Sequence, residues 1–358
     1  MHRRTFALVR TAGRRAQSSL ATEPGRAGVA ALPSRRLLRM EGPDAAKFLQ
    51  GLITANVYDV DGQPRRDAFY TGFLNATGRV LYDAFVYPTA SGAGGYLVEA
   101  DAAHVADLTR YVRRYKLRAR VDVKDLAPNE ASVWHAWDDD GDAAAKVAHD
   151  SRCLVLRDPR APGLGCRIIQ TGDEAPIVLD LEPHHEEAYT LRRILAGVPE
   201  GQDELVSGQA LPLESNMDVM NGIDFRKGCY VGQELTIRTR HRGVVRKRIL
   251  PCVVYDGAEP TKLVYESGQA SLVPRDTSIG RFGKKGRSAG KWLRGVGNIG
   301  LGLCRLEIMT DLMLPGEQAA AAYRPGDEFV VEWDDGRSAK VKAFVPDWLR
   351  RALDESRR

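Results

Sequence analysis

Apolar and polar positions along this chain change rhythm several times, and each change marks an element. Strand-like runs fall at residues 36–41, 68–74, 79–87, 96–100 and 118–123. The second and third are joined by Asn75-Ala76-Thr77-Gly78, a turn sequence. Two segments carry helical spacing instead. Gly42-Pro43-Asp44 opens the first, with Pro and Asp where unpaired N–H groups favour them and with Phe48, Leu49 and Leu52 as its buried face. Asp101 caps the second, whose Val105, Leu108 and Val112 recur at i, i+3 and i+7. A related set follows: a strand at 130–137, a short helix at 142–148, strands at 153–156 and 165–170, and a helix at 183–195. No sequence repeat underlies the likeness. Helices interleaved with antiparallel strands predict an α+β layer, not a doubly wound parallel sheet.

Residues 236–242 read as a further strand, in which Arg238, Arg240 and Arg242 alternate with Ile237, Thr239 and His241 and so share one face. From 249 the texture becomes short apolar runs (251–254, 296–303, 328–333, 339–344) between Gly, Pro and Asp turns, which predicts a small β-barrel or sandwich. Residues 280–295 show neither period and read as a mobile basic loop; their glycines lack the GxxxxGK[ST] order of a phosphate loop. An Ala-rich insert spans 315–325, and 347–358 reads as a charged, frayed helix. The cluster Asp138-Asp139-Asp140-Gly141-Asp142 lacks the downstream Glu of a calcium loop and reads as a solvated turn.

Charge adds a division that periodicity does not show. The chain of 358 residues has a net charge of +5, yet residues 1–39 hold nine arginines against one acid, leaving the rest mildly acidic. That argues against a general nucleic-acid binder. Residues 1–22 contain no acid, five arginines and several Ser and Thr, the composition of a mitochondrial transit peptide. The expected organisation is a transit or disordered segment at 1–33, an α+β domain at 34–248, a β domain at 249–346 and a tail at 347–358. No apolar run approaches the roughly 18 residues of a membrane span, so no membrane insertion is expected.

Chemistry concentrates in one place. Five cysteines (153, 166, 229, 252, 304) show neither CxxC nor zinc-finger spacing, so a self-contained zinc or iron–sulfur site is not expected. Four lie in apolar or strand-like contexts and fill cores. Cys229 stands apart, between Gly228 and Gly232, in a stretch where residues 226–248 carry eight Lys or Arg against Glu234 alone. Arg226 and Lys227 are expected to favour its thiolate. Arg238, Arg240 and Arg242 then offer an anion-binding edge, or simply a charged strand that resists aggregation. Gln233 and Glu234 are expected to orient the loop through its backbone, and His241 is a candidate second metal ligand.

The run Lys227-Gly228-Cys229-Tyr230-Val231-Gly232-Gln233-Glu234, followed by Arg238, resembles the signature of the YgfZ/GcvT-like folate-binding family. Asp44-Ala45 with 48–52 (FLQGL), Asn75-x-x-Gly78-Arg79 with Asp83, and Leu211-Pro212-x-Glu214-x-Asn216-x-Asp218 resemble its other motifs. The resemblance implies a GcvT-like α+β domain with a central folate-type pocket and a smaller C-terminal β-barrel. With the leader, it implies a mitochondrial matrix assembly factor for [4Fe–4S] clusters rather than an enzyme, working with A-type (ISCA) carriers. It also implies a [2Fe–2S] or [4Fe–4S] cluster shared with that partner, since one cysteine cannot hold a cluster alone. Cys229 then serves as a ligand, or as a thiol that handles a persulfide or mixed disulfide. The family's aminomethyltransferase suggests the alternative, a tetrahydrofolate-dependent one-carbon transferase. Asp83 and Glu214 would meet the pterin, and Tyr70 would line its pocket. That enzyme carries paired acids where this chain reads Tyr82-Asp83, and it lacks the KGCxxGQE run.

Overall fold

The computed structural model describes residues 24–89, 94–147, 153–172, 181–283, 286–314, 323–334 and 336–355. It opens with β1 (Ala27–Ala31), followed by β2 (Arg35–Glu41), α1 (Ala45–Gln50), β3 (Phe69–Leu74), β4 (Val80–Thr89), β5 (Gly95–Asp101), α2 (Val105–Lys116) and β6 (Asp122–Asp125). Strands two to six form one five-stranded sheet in the order β3-β4-β5-β2-β6. The strands β7 (Ala131–Asp138), β8 (Cys153–Arg157), β9 (Cys166–Thr171) and β10 (Pro183–His184) join β1 in a second, ordered β10-β1-β7-β9-β8, and α3 (Glu186–Leu195) follows.

The alternation in β4 shows how the layers are sorted. Tyr82, Ala84 and Val86 turn to one face and pack with Leu49 and Leu52 and with Val105, Leu108 and Val112 of α2. Phe85 and Tyr87 turn to the other, where they meet Val133, Trp137 and Ile169 of the second sheet. The first sheet is thus buried on both sides, between helices and a sheet.

Asp83 shares that inner face, and an ionic network surrounds it. Arg35, Arg160, Arg167 and Arg193 meet Asp83, Glu99, Asp158, Glu200 and Glu204, all buried. Arg160 grips Asp158 through Nε (2.9 Å) and Nη2 (2.6 Å), while Tyr87 and Tyr189 donate their hydroxyls to Glu99 (2.8 Å) and Glu200 (2.7 Å). Burial pushes the Glu200 carboxyl up, but Arg167, Arg35 and Arg160 outweigh it and hold the group well below its usual range.

His135, on β7, is buried beside this network, with Nε2 2.9 Å from the Leu164 carbonyl and its ring 4.5 Å from that of Tyr189. Burial pulls it down to about 3; Asp158 opposes this, and Arg167 and Arg160 reinforce it. The folded chain therefore keeps His135 neutral where the unfolded chain, titrating near 6.5, takes up a proton. Its stabilising contribution is complete above about pH 6.5 and is lost between there and about 3, at up to ~1.4 kcal/mol per pH unit. Thermal unfolding at pH 7.5 and 5.5 is expected to show a lower Tm at 5.5, and His135→Gln to flatten that difference.

α4 (Gln233–Arg242) leads to the barrel: β11 (Lys247–Tyr255), β12 (Ser278–Arg281), β13 (Gly290–Val296), β14 (Ile299–Arg305), the turn α5 (Leu306–Met309), β15 (Phe329–Trp333) and β16 (Arg337–Ala343). The order β11-β14-β13-β12-β15-β16 closes on itself, because β11 pairs with both β14 and β16. Trp292, Leu250, Ile279 and Val331 fill it, with the Cys252 and Cys304 thiols fully buried and 3.7 Å apart.

Several sequence expectations are corrected. Residues 27–31, assigned to a disordered leader, form β1, whose small residues fit between β7 and β10. Residues 1–23, which carry most of the transit-peptide reading, lie outside the described residues, as does most of the Ala-rich insert. Residues 280–281 and 290–295, inside the expected loop of 280–295, belong to the paired strands β12 and β13. The helix expected at 347–358 is present as α6 (Asp347–Glu355), but it is packed rather than frayed: it buries Leu349 and Leu353 against the barrel and donates the Trp348 indole N–H to the Ala196 carbonyl at 2.9 Å. Among the described residues no helix is long and apolar enough to cross a membrane.

Candidate functional site

Three segments far apart in sequence hold the loop that carries Cys229. The first is the exit of α1. Lys227 reaches into it and its Nζ donates to the carbonyls of Gln50 (2.8 Å), Ile53 (2.6 Å) and Ala55 (2.8 Å). The Val231 N–H donates to Gly51 O (3.1 Å) and the Asp224 N–H to Thr54 O (3.0 Å). The second is the hairpin turn before β4, where Asn75 Oδ1 accepts the N–H groups of Thr77 and Arg79, each at 3.0 Å. Gly78 (φ +79°) and Gly232 (φ +80°) meet there. A Cβ on Gly78 would lie 2.8 Å from Gly232 O, and one on Gly232 would lie 2.3 Å from Asn75 O. Both positions need glycine for conformation and for space. The third is the first turn of α4, where Gln233 Oε1 accepts the Tyr230 N–H at 3.1 Å.

Tyr230 is buried, and the Lys227 ammonium sits 4.9 Å above its ring. Between these anchors Gly228 and Cys229 remain exposed. Of the five cysteines, Cys229 alone is exposed; Cys166, Cys252 and Cys304 are buried and Cys153 is intermediate. The arrangement presents one soft sulfur to solvent on a backbone that cannot easily move.

The charge around it is organised differently from the sequence expectation. Lys227, expected to activate the thiol, is instead a clamp. Its three N–H groups are spent on carbonyls, and burial pulls it down to about 7 against the opposing charge of Asp224. The segment expected as a strand is the helix α4, so Arg238 and Arg240 do not share a face; two residues turn a helix by about 200°. Arg240 folds back over the Phe225 ring at 5.1 Å. Arg248 is buried and bidentate to Asp218 (2.6 and 2.9 Å), and Lys247 lies 3.5 Å from Glu214. Arg226 is exposed and Glu234 is exposed.

His241 lies at the far end of α4, about 12 Å of helix rise beyond Gln233, and is not brought to Cys229. Among the described residues no group of three or more His, Cys, Asp or Glu is placed to hold a metal ion.

The residues proposed for a pterin do not form one pocket. Asp83 is fully buried, accepting from the Gly201 N–H (3.0 Å), Gln202 Nε2 (3.4 Å) and Arg35 Nη1 (3.4 Å). Tyr70 is equally buried, with Arg160 over its ring at 5.6 Å. Glu214 lines a separate cavity of about 380 Å3 at the junction with the barrel. Asp83 lies behind Arg35 and Gly201, and the neighbouring cavity of about 420 Å3 is lined by these two with Tyr189, Arg193 and Glu200. The sequence shows Asp218 only as part of a motif, without a role, and gives no sign of Thr54. An arginine inside the apolar run 247–255 was the available signal for the first, since a buried guanidinium demands an acid. Thr54, whose hydroxyl donates to Gly222 O (2.5 Å) and accepts the Gly72 N–H (2.9 Å), carried no signal of its own.

Residues 246–351 match the family described as CAF17, C-terminal beta-barrel domain. The chain is 57% identical over 341 residues to the protein named iron-sulfur cluster assembly factor IBA57 homolog, mitochondrial, of Pyricularia oryzae, covering 91% of this chain and 86% of that one. It is 50% identical to the protein of that name from Chaetomium globosum, covering 91% and 84%, and 48% identical to that from Neurospora crassa, covering 91% and 82%. Among solved structures it is similar to the glycine cleavage system aminomethyltransferase T of Bartonella henselae (TM-score 0.63, 13% identity, covering 90% of this chain and 86% of that one), a likeness of fold alone.

Proposed function

The chain belongs to the IBA57 family of mitochondrial iron–sulfur cluster assembly factors, and from that premise we propose that Cys229 is the atom through which it assists cluster assembly. The observation that carries this reading is a single exposed cysteine on a loop immobilised at both ends. Thiolate sulfur suits iron, and a lone thiol supplies one ligand of the four or more that a cluster needs. The remaining ligands come from the cysteines of an A-type carrier that brings a [2Fe–2S] cluster as cargo. The fixed loop keeps the sulfur in position without a large ordering cost when the two proteins meet.

The test mixes the full chain with an A-type carrier loaded with a [2Fe–2S] cluster and follows visible absorbance and circular dichroism. Wild type is expected to give new cluster bands. Cys229→Ser should give the carrier's own spectrum while keeping the wild-type Tm, since the side chain is exposed. Identical spectra from both proteins overturn the proposal.

A further inference from the structure

Beside the cysteine loop lies an apolar hollow that iron ligation does not use. A cavity of about 460 Å3 is lined by Phe48, Gly51 and Leu52 from α1 and its exit, Tyr115 and Ala119 around the end of α2, and Val231, with Asp44 and Lys47 as its charged members. Val231 is only two residues beyond Cys229, a span of at most about 7 Å. The hollow and the sulfur are therefore neighbours on the molecule.

The chain between Tyr115 and Ala119 is unusual. Leu117 ends α2 with φ +39°, a backbone region that an L side chain rarely adopts, and the residue is 90% exposed. Scattered surface leucines need no explanation, but a strained and exposed one between two residues that line a hollow does. Around it runs a belt of positive charge. Residues 108–121 contain six Lys or Arg and no acid. Of these, Arg114, Lys116 and Arg118 form no ion pair with any described residue, and neither does Arg226 on the cysteine loop.

We infer that this face docks the cluster-carrying partner through an acidic segment. One apolar side chain of the partner enters the hollow against Phe48 and Tyr115, the exposed Leu117 packs against the partner beside it, and the partner's flanking carboxylates meet Arg114, Lys116 and Arg118. The inference rests on the reading of Cys229 given above and adds the surface that brings the two sulfur sources together. Charge decides the class of occupant: a belt of unpaired cations attracts an acidic segment and disfavours a basic one.

The experiment measures the affinity of the full-length protein for the [2Fe–2S]-loaded A-type carrier by calorimetry, alongside the absorbance assay. Leu117→Asp and Leu117→Gly are expected to bind about 10-fold or more weakly, as for an interface anchor. Leu117→Gly should at the same time keep or raise the Tm, because glycine accepts the positive φ. Leu272→Asp, an equally substantial change at a 53% exposed leucine of the barrel unit, should bind as wild type does. Affinity is also expected to fall as salt rises. Wild-type affinity in both Leu117 variants, with wild-type cluster bands, overturns the docking face and leaves the role of Cys229 standing. Weak binding by the Leu117 variants, together with unchanged bands in Cys229→Ser, supports the docking face and overturns the thiol. A wild-type chain that does not bind the carrier overturns both.

Discussion

Arg167→Leu is expected to cost about 3–5 kcal/mol of folding stability, enough to leave little folded protein at physiological temperature. Arg167 is fully buried between the two sheets; it ion-pairs with Glu99 and Glu200 and stacks 4.3 Å from the Phe85 ring. Leucine fills part of the volume but leaves the Glu99 and Glu200 carboxylates short of a cation in a medium where bare charge is expensive. Arg160 and Arg35 remain, so the loss falls short of a fully unpaired acid. Arg36→Leu is the control: its partner Asp125 is 3.5 Å away and both side chains are one-third exposed, so a change below about 1 kcal/mol is expected. Denaturant titration separates the two, and a midpoint for Arg167→Leu equal to wild type would show that the network is dispensable.

Gly232→Ala should disable the site while leaving Cys229 chemically intact. The new methyl would sit 2.3 Å from Asn75 O and 2.9 Å from Leu74 Cβ, at a backbone φ of +80°. Left-handed strain contributes about 1–2 kcal/mol, and relief of the clash adds more, giving ~3 kcal/mol in all. The least costly relief is to lift the loop off the hairpin, since Leu74 on the other side is held in the core. Hydrogen exchange at 224–232 is therefore expected to rise, and the cluster bands seen with wild type to disappear. Gly78→Ala, which drives a methyl to 2.7 Å from Leu235 Cβ from the opposite side, should reproduce both effects. Unaltered exchange and intact bands in either variant would mean that the rigidity of the loop does not matter to its work.

How far these features were legible differs from residue to residue. The helical stripe Val105, Leu108 and Val112, the hairpin around Asn75, and the shift to short strands after 249 were readable because each has one period and one boundary signal. α4 was misread because its arginines happen to alternate. The deciding pattern lay in Leu235, Thr236 and Thr239, which turn inward at helical spacing but include only one apolar residue. The exposure of Cys229 was legible from its flanking glycine and charged neighbours. The clamp formed by Lys227 was not, because its three acceptors are backbone carbonyls 172 to 177 positions earlier, and carbonyls have no sequence identity. Asp83 looked like a ligand-binding acid because no local rule shows that arginines from residues 35, 160 and 167 converge on the same interior.

The placement of β1 has a practical outcome for anyone producing or tracking this protein. With Ala27–Ala31 bonded to β7 along one edge and to β10 along the other, and with the Trp137 indole donating to Gly25 O at 2.9 Å, trimming that reached Ser34 would excise an interior ribbon and bare two unsatisfied borders. Any maturation cut compatible with a soluble product must fall upstream of Gly25, and a recombinant version begun at Arg35 is expected to precipitate.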